Sequence, residues 1–322
     1  MWRLPEPRFD VASALDQGNR DYQEDALVAD FSVGDDIGII VLADGMGGHA
    51  AGDVASKIVV TEVYSELKFH CDSFFSDEEG LPSLMGNAVF SANDCLKSHI
   101  EDYEDARGMG STVIAAVLAG ERLFWTSVGD SPLYHYRSGK MQQLNEDHSM
   151  APQIDLMAET GVIKAEEAAT HPDRNCLTSA VCGGKIARID NKGKAFEMMV
   201  GDILVISSDG LQFLPEDQIS KIIGRNRRKP SADIANALLQ ALKKNDNPEQ
   251  DNISFSVIKV RHTKPVERPA KRDHIDAGTH STRLTTDVEV TDADAAEAAD
   301  DLGDAAAFTG KQAELLEAAE RN

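Results

Sequence analysis

Two apolar runs of this chain end in the same dipeptide, an aspartate followed by a glycine. Residues 37–43 lead into Asp44 and Gly45, and residues 203–208 lead into Asp209 and Gly210. Apolar, β-branched runs of this length are typical of buried strands, so each aspartate is expected at the end of a strand. The glycine beside it allows the backbone to approach closely. The pattern therefore places two carboxylates at the mouth of a sheet.

Further carboxylates flank other predicted strands in the same manner. Glu24 and Asp25 precede one strand, and Asp251 with Asn252 precedes another. Carboxylates gathered from distant strand ends repel one another unless cations lie between them. A pair of hard divalent metal ions with oxygen ligands is the simplest arrangement that satisfies this constraint.

The charge and the cysteines restrict the class of protein. The chain has 322 residues and a formal net charge of −23, from 55 acidic and 32 basic side chains. Such a charge argues against binding to nucleic acid or to an anionic membrane. The four cysteines show no CxxC spacing, which favours reduced thiols, and neither a signal peptide nor a spanning segment is recognised. A soluble, cytoplasmic protein is expected.

The element pattern predicts an α+β fold. Apart from residues 37–43 and 203–208, strands are predicted at 9–17, 26–31, 112–118, 122–128, 133–137, 141–144 and 253–260, and helices at 50–67, 82–100, 215–224 and 231–243. Hairpins dominate and no regular βαβ alternation is visible, which favours antiparallel sheets. We expect a central antiparallel β-sandwich flanked by α-helices on both sides, a four-layer αββα arrangement.

The composition changes after residue 262. Residues 284–310 contain eight acidic side chains and no basic one. Low hydrophobicity with one sign of charge cannot offset the entropy of ordering, so residues 263–310 are predicted to be a disordered acidic linker. Residues 311–322 are a candidate for a short helix that is marginal alone. Composition alone also suggests that this tail binds a partner.

Two local segments carry candidate chemistry. Residues 44–52 contain four glycines in nine, which suits a backbone folded around an ion, but they lack the lysine of a P-loop and the GxGxxG spacing of a dinucleotide fold. The alternative is a purely structural turn. Arg20, four residues before Glu24, has the guanidinium geometry that grips a phosphate, and its alternative is an ordinary surface ion pair.

Taken together, the motifs resemble those of a known family. The chain is similar to metal-dependent serine/threonine protein phosphatases of the PPM (type 2C) family, bacterial branch, over roughly residues 9–260. The resemblance rests on segments in the family's order and at similar separations: Arg20 with Glu24-Asp25, residues 44–49, residues 108–112, residues 128–131, Ser208-Asp209-Gly210 and Asp251-Asn252. It implies a catalytic domain over residues 1–262, with a flap beside the active site at about 146–185.

The resemblance also implies metal ligands. Asp44 would bridge two Mn²⁺ or Mg²⁺ ions, and the carbonyl of Gly45 would bind one of them. Asp209 and Asp251 would ligate the other ion. Glu24 would hold metal-bound water.

Three further roles follow from the same resemblance. Asp25 would lie just behind the ligands, and Asp130, with Asp209, would form a third metal site. Arg20 would bind the substrate phosphate. Two metal ions lower the pKa of a bridging water and neutralise phosphoryl oxygens, so hydroxide can attack phosphorus in line.

The motifs do not identify the residue that acts as the general acid. Some relatives carry a histidine two positions after the bridging aspartate, where this chain has Met46. His49 and His148 are weak candidates for the proton donor. His49 has a structural role, capping or packing, as its alternative.

The sequence therefore predicts hydrolysis of phosphoserine or phosphothreonine in proteins. The expected partners are a phosphorylated substrate and a cognate serine/threonine kinase, although some bacterial relatives act on anti-anti-sigma proteins instead. Two alternatives remain: a catalytically silent scaffold that binds phosphoproteins, which the retained metal-site carboxylates oppose, and a two-metal nuclease, which the acidic surface opposes.

Overall fold

The strands of the protein are two to ten residues long, and several consecutive strands pair as hairpins. The computed structural model describes residues 8–31, 36–47, 51–71, 74 and 79–261. Twelve strands lie within them: β1 Phe9–Asp16, β2 Asp25–Asp30, β3 Ile37–Met46, β4 Gly110–Ser111, β5 Val113–Ala119, β6 Arg122–Val128, β7 Leu133–Arg137, β8 Lys140–Gln143, β9 Asp190–Asn191, β10 Phe196–Glu197, β11 Ile203–Ser207 and β12 Ile253–Val260.

Helices connect the strands at three places along the chain. The α-helices are α1 Ala51–Phe69, α2 Leu81–Asp102, α3 Ala151–Glu159, α4 Ala165–Ala169, α5 Glu216–Asn226 and α6 Ser231–Asn245. Two 3₁₀-helices span Glu104–Ala106 and Asp209–Phe213. None of the helices in the described part of the chain has the length and apolarity needed to cross a membrane.

The strands form two sheets in which every pairing is antiparallel. The first sheet has the order β1-β12-β11-β7-β8. The second has the order β10-β6-β5-β3-β2, with β4 added to β3 and β9 added to β6. Distant parts of the chain thus become neighbours, since β1 pairs with β12 across almost the whole described length.

Alternation along the strands separates three apolar clusters. In β3, Ile39 and Val41 pack with α1 and α2, whereas Ile40 and Leu42 face the other sheet. In β11, Val205 faces the cluster that contains α5 and α6 residues. Successive side chains of a strand point to opposite faces, so each sheet buries both of its faces. The layers therefore run helices, sheet, sheet, helices.

This architecture confirms the predicted fold class. The predicted helices and hairpins are present, with ends that differ by a few residues. The sequence patterns missed α3 and α4, which fall within the predicted flap, because short and largely exposed helices leave little apolar periodicity. The predicted linker at 263–310 and helix at 311–322 lie outside the described residues.

One buried ionic cluster fixes the end of the first sheet. Asp202, only 1% exposed, precedes β11 and accepts hydrogen bonds from Arg137 Nε at 2.8 Å and Arg137 Nη2 at 2.6 Å. It also accepts one from the N–H of Met199, and His135 Nε2 lies 3.1 Å from its Oδ2. Burial alone would raise the pKa of Asp202, but these donors outweigh it and hold the pKa well below its usual range.

Asp202→Asn is expected to lower the free energy of unfolding by about 3 kcal/mol at pH 7, because it removes the negative partner of a buried ionic cluster. A carboxyl whose pKa is depressed in the folded state stabilises the protein above its unfolded pKa, and that contribution is lost as the pH falls. The difference between wild type and variant should therefore shrink from about pH 5 downwards. Urea unfolding followed by circular dichroism at several pH values measures it.

The matched control is Asp217→Asn, which breaks an exposed ion pair with Lys221 one helical turn away. Solvent screens such pairs, so no measurable loss of stability is expected. Equal losses for the two variants, or a difference that grows toward acidic pH, would contradict this account of Asp202.

Candidate active site

Asp44 and Asp25 face each other across two neighbouring strands. Asp25 opens β2 and Asp44 lies near the end of β3, and the two residues are direct partners in the antiparallel register. The sequence placed the end of the strand at Asp44, but β3 continues to Met46 because Gly45 and Met46 pair with β4. Asp25 is 4% exposed, whereas Asp44 keeps part of its surface accessible.

Asp209 and Asp251 come from the other sheet. Asp209 begins a 3₁₀-helix directly after β11, and Asp251 lies just before β12. A Cβ on Gly210 would overlap the carbonyl oxygen of Asn252, and a Cβ on Gly45 would overlap the backbone of Gly52. The glycine of each Asp-Gly pair is therefore needed for close approach of a second segment.

The ends of the two sheets bring these carboxylates into electrostatic contact. Burial raises the pKa of Asp44 well above its usual value, and the charges of four other aspartates raise it further: Asp25, Asp209, Asp130 and Asp251. Every aspartate that the sequence assigned to the metal site thus acts on Asp44. Burial and charge thus couple these side chains, and their assignment as metal ligands stays a prediction.

The neighbouring carboxyls are shifted in the same direction. Burial raises the pKa of Asp25 to about 7, although the hydroxyl groups of Ser208 and Ser254 oppose the shift. Burial, and next the charge of Asp209, raise the pKa of Asp130 to about 7. Burial and Asp251 raise the pKa of Asp209 to about 6. Such shifts are typical of negative groups that lack a cation.

The donor set fits hard divalent cations. Among the described residues, three buried carboxylate oxygens have no hydrogen-bond partner: Glu24 Oε1, Asp25 Oδ1 and Asp209 Oδ1. Carboxylate oxygens are the ligands that Mg²⁺ and Mn²⁺ prefer. No three His, Cys, Asp or Glu side chains in the described ranges are already arranged to hold an ion.

Arg20 lies at the edge of this group. Its Nη2 donates to Asp251 Oδ2 at 2.5 Å, and its side chain is 54% exposed. Glu24, four residues further, has a pKa that burial raises and the charge of Arg20 lowers. The guanidinium is therefore the positive group that faces solvent beside the carboxylates. The alternative that the sequence left open for Arg20, an ordinary surface ion pair, is also present, and its partner is Asp251.

Neither candidate for the general acid gains support. His49 lies outside the described residues. His148 is 1% exposed, and its Nδ1 accepts a hydrogen bond from the N–H of Gly129 at 3.2 Å. Burial lowers the pKa of His148 and so favours the neutral ring. A buried neutral ring that is already engaged at Nδ1 is poorly placed to protonate a leaving group in solvent.

A comparison with known proteins assigns the family. The model for protein phosphatase 2C matches residues 16–251, which include every carboxylate described above. The chain belongs to the protein phosphatase 2C family. The resemblance drawn from the motifs is thereby confirmed, and the chain is a metal-dependent protein phosphatase.

Relatives of this phosphatase come from bacteria. A serine/threonine phosphatase, Stp, from Listeria innocua is 31% identical over 222 residues, which cover 68% of this chain and 83% of the relative. The crystal structure of the Mycobacterium tuberculosis serine/threonine phosphatase PstP/Ppp matches 79% of this chain and 99% of its own, with a TM-score of 0.65 and 28% identity. A structure of the PstP catalytic domain in complex with two manganese ions has a TM-score of 0.62 and 27% identity, over 79% of this chain and 99% of that chain.

Asn252 belongs to a motif quoted above, but the sequence did not reveal its structural role in the phosphatase. Its Nδ2 donates to the carbonyl oxygens of Gln17 and Tyr22, at 2.8 and 2.9 Å, and its Oδ1 accepts from the N–H of Glu24 at 2.7 Å. One buried amide therefore holds the whole segment that carries Arg20. The signal available in the sequence was its place directly after Asp251.

Two hydroxyl groups position the aspartates of the phosphatase. Thr112 Oγ1 accepts from the N–H of Asp44 at 3.0 Å, and the N–H of Thr112 donates to the carbonyl oxygen of Asp44 at 2.8 Å. Ser208 Oγ donates to Asp25 Oδ2 at 2.8 Å. Both residues lie within the motifs quoted above, but their partners are remote in sequence. These neutral donors and acceptors hold the acidic residues without neutralising them.

Asn252→Asp is expected to lower the free energy of unfolding by about 3 kcal/mol, because a carboxylate oxygen would replace the donor facing two buried carbonyl groups. Urea unfolding at pH 7 measures the loss. The control is Asn245→Asp, which alters one exposed hydrogen bond to the carbonyl of Phe213 and should cost less than about 1 kcal/mol. An Asn252→Asp variant as stable as the control would show that the three hydrogen bonds of the Asn252 side chain are unimportant for stability.

Proposed function

We propose that this phosphatase hydrolyses phosphoserine and phosphothreonine in protein substrates, with two Mn²⁺ or Mg²⁺ ions at the junction of the two sheets. The observation that supports this most strongly is the group of carboxylates around Asp44, with buried oxygens that lack a partner. The serine/threonine specificity is supported by the names of the relatives.

Asp44 is the residue best placed to be shared by two ions, since carboxylates from both sheets surround it. Asp209 and Asp251 would hold one ion, the carbonyl of Gly45 the other, and Glu24 would act through water. Asp130 with Asp209 would form a weaker third site. When bound, such ions neutralise phosphate oxygens and lower the pKa of the water that attacks phosphorus in line.

The chain's own contribution is positioning. The Asn252 amide and the Thr112 and Ser208 hydroxyls fix the acidic residues before substrate arrives. Arg20 would bind the substrate phosphate, because its guanidinium is more than half exposed and presents paired donors that match phosphate oxygens. Hydrolysis by a positioned water needs no covalent intermediate, so no side chain of this site has to act as the nucleophile.

The partners remain proposals drawn from the sequence. We propose that the phosphatase reverses a serine/threonine kinase in bacterial signalling, with anti-anti-sigma proteins as the alternative substrates. We also propose a cytoplasmic location and the binding of a partner by the acidic tail. The proposal for the tail rests on composition alone, since its residues lie outside the described part of the chain.

The full chain should release phosphate from a phosphothreonine peptide in the presence of Mn²⁺ and should stop when a chelator is added. Asp209→Asn is expected to lower kcat at least about a hundredfold, because it removes a ligand at the reacting centre. Asp217→Asn, at an exposed position of α5, is the matched control and should retain full activity.

Calorimetric titration with Mn²⁺ makes this outcome interpretable. A wild-type protein that binds Mn²⁺ but stays inert on phosphopeptides would contradict the proposed activity. A protein that binds no Mn²⁺ would support the catalytically silent scaffold instead.

Arg20→Ala should raise KM for the phosphopeptide at least about tenfold, since a charge-assisted hydrogen bond to phosphate is lost. The same change releases Asp251 from its ion pair. The Mn²⁺ concentration needed for half-maximal activity should therefore stay constant or fall. An unchanged KM, or a weaker response to Mn²⁺ as the main effect, would exclude Arg20 as the phosphate ligand.

A further inference from the structure

His148 joins the base of the flap to the turn that carries Asp130. The N–H of Gly129 donates to His148 Nδ1 at 3.2 Å, and the N–H of His148 donates back to the carbonyl oxygen of Gly129 at 3.1 Å. Both backbone polar groups of Gly129 are therefore bound by one residue that is 19 positions away.

The turn needs such support because its backbone is unusual. Gly129 has φ of +108°, and a Cβ there would overlap the side chain of Thr112, the residue that holds Asp44. A conformation of this kind persists only where the surroundings impose it. A buried N–H left without an acceptor costs free energy, so the ring nitrogen of His148 is the group that stabilises this geometry.

The same residue also closes the far end of the flap. The carbonyl oxygen of His148 accepts from both the N–H and the Oγ1 of Thr178, at 2.7 and 2.8 Å. Ser149 and Leu177 form an isolated β-bridge beside it. His148 therefore lies where three segments meet: the Gly129–Asp130 turn, the outgoing chain of the flap and its return.

Asp130 and the start of the flap line the same cavity. This cavity has a volume of about 570 Å³ and is lined by Asp130, Asp147, Ser149 and Asp209, among others. A displacement of the turn would move Asp130 relative to Asp209, and these are the two carboxylates proposed for the third ion.

We propose that His148 is a positioning residue. Its Nδ1 acceptor holds Asp130 in place relative to Asp209 and so sets the affinity of the third cation site. The inference rests on the proposed function, because it takes Asp130 and Asp209 as ligands. It replaces the expectation that His148 donates a proton to the leaving group. Residues that orient metal ligands in this way typically contribute 10–100-fold to metal affinity or activity.

Two amide substitutions separate the position of the acceptor from the polarity of the side chain. In His148→Asn the amide oxygen takes the place of Nδ1, whereas in His148→Gln the polar group lies near the place of Nε2. We expect His148→Asn to behave as wild type within about threefold. His148→Gln should raise the Mn²⁺ concentration for half-maximal phosphopeptide hydrolysis about tenfold.

Hydrogen exchange gives a readout that does not depend on activity. The amide of Gly129 should stay protected in wild type and His148→Asn and exchange faster in His148→Gln. If the two variants show equal exchange at Gly129, or if His148→Asn weakens the Mn²⁺ response as much as His148→Gln, the acceptor at Nδ1 is not the important feature.

A double-mutant cycle tests whether the effect passes through Asp130. In an Asp130→Asn background, His148→Gln should change the Mn²⁺ response less than about twofold, because the carboxylate that it positions is already gone. An undiminished tenfold effect in that background would overturn the proposal. If the wild type shows no Mn²⁺-dependent activity, that result counts against the proposed function. The exchange result at Gly129 would still stand.

Discussion

The mutual repulsion of carboxylates is the constraint on which the rest of this structure depends. Asp44 is surrounded by four other aspartates, and burial removes much of the water that would otherwise screen their charges. A fold can hold such a group only if other interactions stabilise it, because burial and neighbouring charges raise the pKa of Asp25, Asp130 and Asp209. Such a concentration of negative charge would favour bound cations, so an arrangement that costs stability could serve catalysis.

The protein holds these groups with neutral hydrogen bonds. The apolar cluster between the sheets, formed by residues such as Leu42, Ile114 and Ile206, gives way to buried serines and threonines at the end that carries the site. Ser208 donates to the carboxylate of Asp25, and Thr112 holds the backbone of Asp44. A positive side chain in these positions would neutralise the carboxylates and compete with metal ions. Arg20, which pairs with Asp251, lies at the solvent edge.

In the flap, as in the buried site, polar contacts hold separate segments together. Its helices α3 and α4 contribute little to the apolar clusters, and the Arg174–Asp155 ion pair, with distances of 2.6 and 2.8 Å, connects its outgoing and returning parts. The cavity beside Asp130 opens between this ion pair and the segment after Asp209. The flap therefore lines the cavity that contains Asp130 and Asp209, and His148 connects it to the turn at Gly129.

The antiparallel fold class could be predicted because it rests on local patterns. Continuous apolar runs in β3 and β11, and hairpin spacing between β5 and β6, can be recognised without knowledge of remote contacts. The ends of the elements could not, as the extension of β3 to Met46 shows. That extension depends on β4, a strand of two residues that has no pattern of its own.

The sequence by itself determined which residue types stand at the strand ends, and so the chemistry of the site: aspartates followed by glycines, with one arginine nearby. Only the tertiary structure decided which atoms meet. Asn252 with Tyr22 and Glu24, Ser208 with Asp25, and His148 with Gly129 join residues far apart in the chain. Such contacts depend on the pairing of whole strands, and a local pattern carries no information about a partner that another strand supplies.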